Sequence, residues 1–261
     1  MTARGRFAGL LAGLWLVVAG PAMAADSPFS DWAAFVVAGD WHAHSGGPSE
    51  AFDNSRRDVS LALERAGFAR QNLREYSVRP ERYKDPKLEK SSIYTLGGSM
   101  DDLAARATGG CLAYFSSHGS PYGVLVDQDL LTPGRLASML DEACGKRPTI
   151  VVLSACFSGV FVPSLAKPYR MVLTAARPDR SSFGCGEADK YPYFDECFLQ
   201  ATPGARDFIG LADAVRTCVA VREAKEGMSP PSEPQLYIGG ALRPLLPLYA
   251  LGGPDPPAGR P

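Results

Sequence analysis

Two apolar runs of this chain end in side chains that could do chemistry together. The run Cys111 to Ser117 leads to His118 and Gly119, and the run Thr149 to Ala155 leads to Cys156. Short runs rich in branched and aromatic residues predict buried strands of a parallel sheet. Because ligands bind at the carboxyl ends of such strands, an imidazole and a thiol would face each other across one cleft.

A thiol beside an imidazole is suited to acyl transfer through a covalent intermediate. A free thiol has a pKa of about 8.5, and a neighbouring imidazolium lowers it, so Cys156 is the candidate nucleophile. His118 would protonate the departing amine. The backbone N–H groups of Gly119 and Cys156 are candidate oxyanion donors, since glycine lets the main chain approach a substrate closely. Spacing alone leaves open a structural core histidine and an inert buried cysteine.

The other histidines do not predict a metal site. His42 and His44 are one residue apart in a glycine- and proline-rich loop, and only Asp40 is available as a third ligand. Zinc sites in proteins normally need at least three such ligands. No metal and no other cofactor is expected.

Strand and helix patterns alternate along the chain. Six strands are predicted, at residues 32–39, 73–78, 111–117, 149–155, 170–176 and 235–239. Helices are predicted after Asp53 or Ser55, after a capping box of Ser99 and Asp102, after Thr132, and over 207–226. The charged segment 79–90 is expected to be surface. These alternations predict an α/β fold with a mostly parallel sheet of about six strands and helices on both faces.

The amino terminus has the pattern of a signal peptide. Arg4 and Arg6 precede an apolar stretch, and Ala22-Met23-Ala24 has the small residues of a cleavage site, so residues 1–24 are predicted to be removed. No later segment has the ~20 apolar residues of a membrane span. We expect a periplasmic or secreted protein with one domain over 25–243 and a loosely ordered, proline- and glycine-rich tail over 244–261.

Charge gives no indication of a nucleic-acid partner. The chain has 27 lysines and arginines and 28 acidic residues, and the leader accounts for two of the arginines. A mature protein with a small negative net charge has no electrostatic reason to bind a polyanion.

Six cysteines all lie after the leader, at positions 111, 144, 156, 185, 197 and 218. Exported proteins usually pair their cysteines, and six could close three bridges. If Cys156 stays a thiol, one further cysteine must be unpaired. The bridge we favour from position in the chain is Cys185 with Cys197, because both lie in or beside an irregular stretch.

The two strand ends and a third segment resemble the caspase-like cysteine peptidases, and most closely the legumain family. The matching features are His118-Gly119, Ser154-Ala155-Cys156 with Ser158-Gly159, and the stretch from Leu173 to Phe183. The resemblance implies a caspase-like three-layer fold and a cysteine endopeptidase acting on peptides or proteins. It implies that Cys156 is the nucleophile, His118 the general acid and base, Gly119 an oxyanion contributor, and Ser181 and Ser182 part of the substrate-pocket wall.

The chain also departs from that family. Legumain-like enzymes that cleave after asparagine have an acidic residue two positions before the nucleophile, where this chain has Ser154. The arginine and histidine expected near the first helix have no clear counterpart, so asparagine specificity is not implied. Asn54 could orient His118, although a helix-capping role for residues 53–55 is the stronger expectation.

Three functions are compatible with the sequence. The leading one is an exported cysteine endopeptidase that forms a thioester on Cys156. A catalytically silent binding or scaffold protein would keep the fold without turnover. A transpeptidase would use the same acyl-enzyme with an amine as acceptor in place of water.

Overall fold

The structure, a computed structural model, describes Met1 and residues 27–251. The rest of the predicted leader and residues 252–261 of the predicted tail lie outside the described residues.

Within the described residues, ten strands form two sheets. In chain order they are β1 Trp32–Ala38, β2 Leu73–Ser77, β3 Leu88–Lys90, β4 Gly110–Ser116, β5 Gly119–Ser120, β6 Gly123–Val126, β7 Asp129–Leu131, β8 Thr149–Ser154, β9 Arg170–Thr174 and β10 Gln235–Ile238. The central sheet has seven strands in the order β10-β9-β8-β4-β1-β2-β3, and the small one is β5-β6-β7. In the central sheet only β10 is antiparallel to its neighbour.

Helices cover both faces of the central sheet. They are α1 Ala51–Arg65, α2 Ile93–Arg106, α3 Pro133–Cys144, α4 Val162–Leu165, α5 Tyr193–Ala201 and α6 Phe208–Glu226. Alternate residues of β1 enter two separate cores: Ala34 and Val36 pack with residues of α1, α5 and α6, whereas Phe35 and Val37 pack with residues of α2, α3 and α4. Burial on both sides explains why the strands are continuous apolar runs.

Four strands of the central sheet end in a hydroxyl residue. Ser77, Ser116, Ser154 and Thr174 are the last residues of β2, β4, β8 and β9, and all four are buried. Their short polar side chains mark the boundary between the apolar interior and the carboxyl edge of the sheet.

The α/β, three-layer architecture is confirmed; the central sheet has one strand more than predicted, and the small sheet of β5, β6 and β7 was not predicted. The additional strand, β3, lies in the charged segment 79–90 that was expected to be surface. It has three residues, and only Leu88 is buried, so it lacks the apolar run by which the other strands were predicted.

Two predicted helix starts are wrong. Helix α1 begins at Ala51, so Asp53 and Ser55 lie inside it and do not cap it. Helix α2 begins earlier than the capping box of Ser99 and Asp102 suggested: its N-cap is Ser92, whose hydroxyl accepts a hydrogen bond from the Thr95 N–H at 3.0 Å.

The predicted Cys185–Cys197 bridge is also wrong. Disulfides join Cys111 to Cys144 and Cys197 to Cys218, and they connect β4 with α3 and α5 with α6. Cys156 and Cys185 are free. The pairs join elements that pack side by side in the fold, and spacing along the chain does not report this proximity.

The described residues contain no helix that is both long and apolar enough to cross a membrane.

The start of helix α6 supplies a test of local stability. Asp207 is its N-cap, and its carboxylate accepts hydrogen bonds from the N–H groups of Ile209 and Gly210, both at 2.9 Å. Asp207→Ala leaves these donors without a side-chain partner, so we expect a loss of about 1 kcal/mol in the free energy of unfolding, measured by urea denaturation. Asp213→Ala is the control, because that side chain is 62% exposed in the same helix. Equal losses in both variants would contradict the capping role.

Candidate active site

Strands β4 and β8 bring the two candidate residues to one edge of the sheet. The strands are adjacent and parallel, and their last residues, Ser116 and Ser154, are paired. His118 and Cys156 each lie two residues beyond that pair. The structure therefore places His118 and Cys156 at equivalent positions in two neighbouring loops at the carboxyl edge of the sheet.

Gly119 lies directly against the backbone of Cys156. A Cβ atom at Gly119 would be 2.0 Å from the Cys156 carbonyl oxygen, so only glycine fits here. The His118 carbonyl accepts a hydrogen bond from the Leu125 N–H at 2.9 Å, which makes Gly119 and Val124 a non-hydrogen-bonded pair of the β5–β6 hairpin. The hairpin thus leaves the Gly119 N–H available for another acceptor.

Cys156 precedes a sharp turn of the backbone. Phe157 has a φ of +57°, in the left-handed region, which costs a non-glycine residue about 1 kcal/mol or more. The Phe157 N–H donates to the Arg180 carbonyl at 2.8 Å and fixes this turn. The turn leaves Cys156 partly exposed at the strand end.

Ser182 contacts the sulfur of Cys156 through its backbone and its side chain. The Ser182 N–H donates to Sγ at 3.3 Å, and the Ser182 hydroxyl lies 3.6 Å from it. The Ser182 carbonyl oxygen is 3.5 Å from the same sulfur, so Ser182 contacts Sγ through its N–H, its carbonyl and its hydroxyl. Ser181, the other predicted wall residue, is exposed beside it.

The His118 ring is held by one hydrogen bond and one aromatic contact. Its Nε2 is 3.0 Å from the His42 carbonyl oxygen, and its ring packs edge-on against Phe52 with centroids 5.0 Å apart. A carbonyl can only accept, so Nε2 carries the hydrogen and Nδ1 is the atom left for proton transfer.

Asp40 is a residue of this site that the sequence analysis considered only as a metal ligand. It follows β1, it is 4% exposed, and its Oδ2 is 3.9 Å from Nε2 of His118. Its Oδ1 accepts from the Trp41 N–H at 2.6 Å and from His42 Nδ1 at 2.7 Å. The carboxylate therefore fixes the loop whose carbonyl holds His118. Its position directly after a strand that neighbours β4 was the signal in the sequence.

Asn54 is not brought to His118. Its side-chain amide donates to the Lys190 carbonyl at 3.2 Å, on the outer surface of α1. The neighbouring Asp53 is buried and bonds the Arg56 guanidinium at 3.0 Å. The structure thus gives Asn54 no contact through which it could orient the imidazole.

Ser154 is buried beneath the site, next to a carboxylate that the sequence analysis missed. Asp195, in the first turn of α5, is fully buried. Its Oδ1 accepts from the Tyr114 hydroxyl at 2.5 Å, and its Oδ2 accepts from the Ser116 hydroxyl. Burial raises the pKa of the Asp195 carboxyl, and hydrogen bonds from surrounding hydroxyls, including that of Ser154, oppose the shift. Ser154 is therefore part of the floor below the strand ends and is closed to solvent.

No metal centre accompanies these residues in the part of the chain that the structure describes. No group of three histidine, cysteine or acidic side chains is arranged there to hold an ion. His42 uses its Nδ1 for Asp40, and His44 is exposed.

Comparison with known proteins adds a family to this geometry. A family model described as the Peptidase C13 family matches residues 83–207, a segment that contains His118, Cys156 and Asp195. The fold is similar to that in the crystal structure of caspase-1 from Spodoptera frugiperda, with a TM-score of 0.58 and 14% identity, covering 88% of this chain and 94% of that one. A search of curated proteins found no match.

Gly119 provides a direct test of this packing. We expect Gly119→Ala to lower the free energy of unfolding by roughly 1–3 kcal/mol and to slow alkylation of Cys156, because the new methyl group must displace the Cys156 carbonyl. Gly134→Ala, which has open space around its Cβ position in α3, should be neutral or slightly stabilising. Thermal unfolding and iodoacetamide kinetics measure the two effects. If Gly119→Ala matched Gly134→Ala in both measurements, the close packing would be refuted.

Proposed function

We propose that this chain is a caspase-like cysteine peptidase related to legumain, and that it hydrolyses internal peptide bonds through a thioester on Cys156, with His118 as general acid and base. One observation carries the proposal. The thiol and the imidazole follow paired ends of adjacent parallel strands at equal offsets, and Gly119 packs against the Cys156 backbone between them.

In the first half of the reaction, His118 Nδ1 takes the proton of the Cys156 thiol, and Cys156 Sγ attacks the substrate carbonyl carbon. The Ser182 N–H, 3.3 Å from Sγ, helps to hold the sulfur in position for the attack. The N–H groups of Gly119 and Cys156 are the proposed donors to the tetrahedral oxyanion, and removal of one such donor typically costs ~3 kcal/mol. His118 Nδ1 protonates the leaving amine as the carbon–nitrogen bond breaks, which leaves an acyl group on Cys156.

In the second half, water replaces the amine. His118 Nδ1 takes a proton from the water as the oxygen attacks the thioester, and the carbon–sulfur bond breaks to return the thiolate. A transpeptidase would differ only in the acceptor.

We propose that Asp40 positions His118 in place of Asn54. The carboxylate bonds the backbone and the ring of His42, whose carbonyl accepts from His118 Nε2. Its second oxygen lies 3.9 Å from Nε2 of His118, on the side of the ring that faces the His42 carbonyl.

Substrate recognition is proposed to involve Ser181 and Ser182. The Ser182 backbone and hydroxyl contact the sulfur of Cys156, so this segment borders the scissile bond. Ser154 is buried next to Asp195. A serine in this position gives no support to a preference for cleavage after asparagine.

We propose that the mature protein acts in the periplasm or outside the cell. The pattern of residues 1–24 supports export, and the two disulfides are consistent with an oxidising compartment.

Replacement of the nucleophile tests the activity. Cys156→Ala should lower the rate of hydrolysis of a proteome-derived peptide mixture at least ~10³-fold, as read by mass spectrometry, and His118→Ala should be almost as damaging because the two residues act as one unit. His44→Ala is the matched control: its exposed ring lies 6.4 Å from that of His118, and it should keep wild-type rates. Wild-type hydrolysis by Cys156→Ala would refute the assignment, and an inactive wild-type protein would favour the silent scaffold.

The role of Asp40 is tested by separating charge from hydrogen bonding. Asp40→Asn keeps an acceptor for the Trp41 and His42 N–H groups, so we expect kcat to fall about tenfold with KM nearly unchanged, and Asp40→Ala to lower kcat further. Thermal unfolding of both variants shows whether the fold is intact. A change confined to KM would contradict a positioning role.

A further inference from the structure

The two free thiols of this protein lie on neighbouring loops of the same site. All six cysteines are among the described residues, and four of them form the two disulfides. Cys156 and Cys185 are free and both are partly exposed. The proposed mechanism uses Cys156 and leaves Cys185 without a function.

A short stretch of backbone connects Cys185 to the sulfur of Cys156. Ser182 contacts that sulfur at 3.3 Å through its N–H, and Cys185 is only three residues further on, a stretch that spans at most about 10 Å. Gly184, between them, has a φ of +87° and turns the chain. A disulfide needs Cα atoms within about 7 Å, so residues 183–186 must hold Cys185 at that distance from Cys156 when the bond forms.

Two of the contacts that hold this loop in place are hydrogen bonds that can be exchanged. The Cys185 carbonyl accepts from the His44 N–H at 3.2 Å, and the Gly186 carbonyl accepts from the Ser49 hydroxyl at 3.2 Å. Each is a single hydrogen bond at a partly exposed position, which contributes about 1 kcal/mol and can be replaced by water.

The two thiols differ in reactivity. Burial and, next in size, the negative charge of the Cys156 sulfur raise the pKa of the Cys185 thiol to about 11. Cys185 is therefore protonated at neutral pH and does not compete with Cys156 for an oxidant. Oxidation of Cys156 to a neutral sulfenic acid removes that charge, so Cys185 loses its proton more readily once the first step has occurred.

We propose that Cys185 is a resolving thiol for Cys156: a peroxide oxidises Cys156 to a sulfenic acid, and Cys185 then forms a reversible disulfide with it. This bond would silence the site and protect Cys156 from irreversible oxidation.

The steps balance with one hydrogen peroxide. The Cys156 thiolate is oxidised by two electrons: a sulfur–oxygen bond forms, the oxygen–oxygen bond breaks, and the released hydroxide takes a proton to become water. The Cys185 sulfur then attacks the Cys156 sulfur. The sulfur–sulfur bond forms, the sulfur–oxygen bond breaks, and the leaving hydroxide carries away the Cys185 proton as a second water. A dithiol such as dithiothreitol reverses the outcome and is itself oxidised.

The test maps covalent state after treatment with hydrogen peroxide. Wild-type protein and Cys185→Ala are treated with peroxide, alkylated with iodoacetamide, digested without reduction and analysed by mass spectrometry. For the wild type we expect a peptide pair linked through Cys156 and Cys185, about 2 Da lighter than the two reduced peptides, which dithiothreitol separates. Cys185→Ala should instead accumulate Cys156 that is heavier by about 32 or 48 Da and is not restored by dithiothreitol.

Two controls complete the design. Cys156→Ser removes the first thiol to be oxidised and should leave Cys185 open to alkylation, and Cys185→Ser replaces Cys185→Ala if the latter fails to fold. Equal irreversible oxidation of Cys156 in wild type and variant, without a linked pair, would overturn the proposal. The readout does not require turnover. If the protein forms the linked pair but cleaves no peptide, the disulfide proposal stands and the proposed peptidase activity is refuted.

Discussion

Strands β4 and β8 are held in one register, and the positions of His118 and Cys156 follow from it. A slip of one residue would move one loop about 3.3 Å along the sheet and exchange the faces to which the side chains of that strand point. Both strands are fully buried, with alternate residues in different cores, so a slip would mismatch both layers at once. Because burial of one large apolar side chain is worth about 1.5–3 kcal/mol, the two cores together define the geometry of the edge.

The floor of the site is a buried carboxylate, and this carboxylate accounts for Ser154. Asp195 is fully buried and depends on hydroxyl donors from β4, including Tyr114 and Ser116. A buried carboxylate is tolerated only when it is hydrogen-bonded, and the small residues at the strand ends supply those bonds. An acidic residue at position 154 would place a second negative charge beside Asp195, which is costly in a dry environment. The serine that departs from the legumain pattern is thus the residue that Asp195 requires.

Features encoded by a local pattern were predictable from the sequence. The strand before His118 and the strand before Cys156 are apolar runs closed by small residues, and their adjacency follows from the alternation of strands and helices. Features that depend on which distant elements meet in the fold were not predictable from the sequence. Asp195 is brought under β4 by helix α5, and the partner of Cys197 is chosen by the packing of α5 on α6. Asn54 was a plausible partner for His118 by residue type. The direction of its side chain depends on where α1 begins, and the sequence does not mark that start because the helix has no side-chain cap.

The six cysteines divide by position into structural and reactive sets. The pairs Cys111–Cys144 and Cys197–Cys218, separated by 33 and 21 residues in the chain, each restrict the unfolded state by roughly 3–4 kcal/mol. Cys111 is at the amino end of β4, opposite the edge that carries His118, and the other pair lies in the helices that cover one face. Neither disulfide involves residues 182–189, and this segment is held by hydrogen bonds, such as that from the Ser45 hydroxyl to Glu187, and by the contact of Phe183 with the Tyr193 ring. It can therefore change its partners while the disulfides and the two cores maintain the fold.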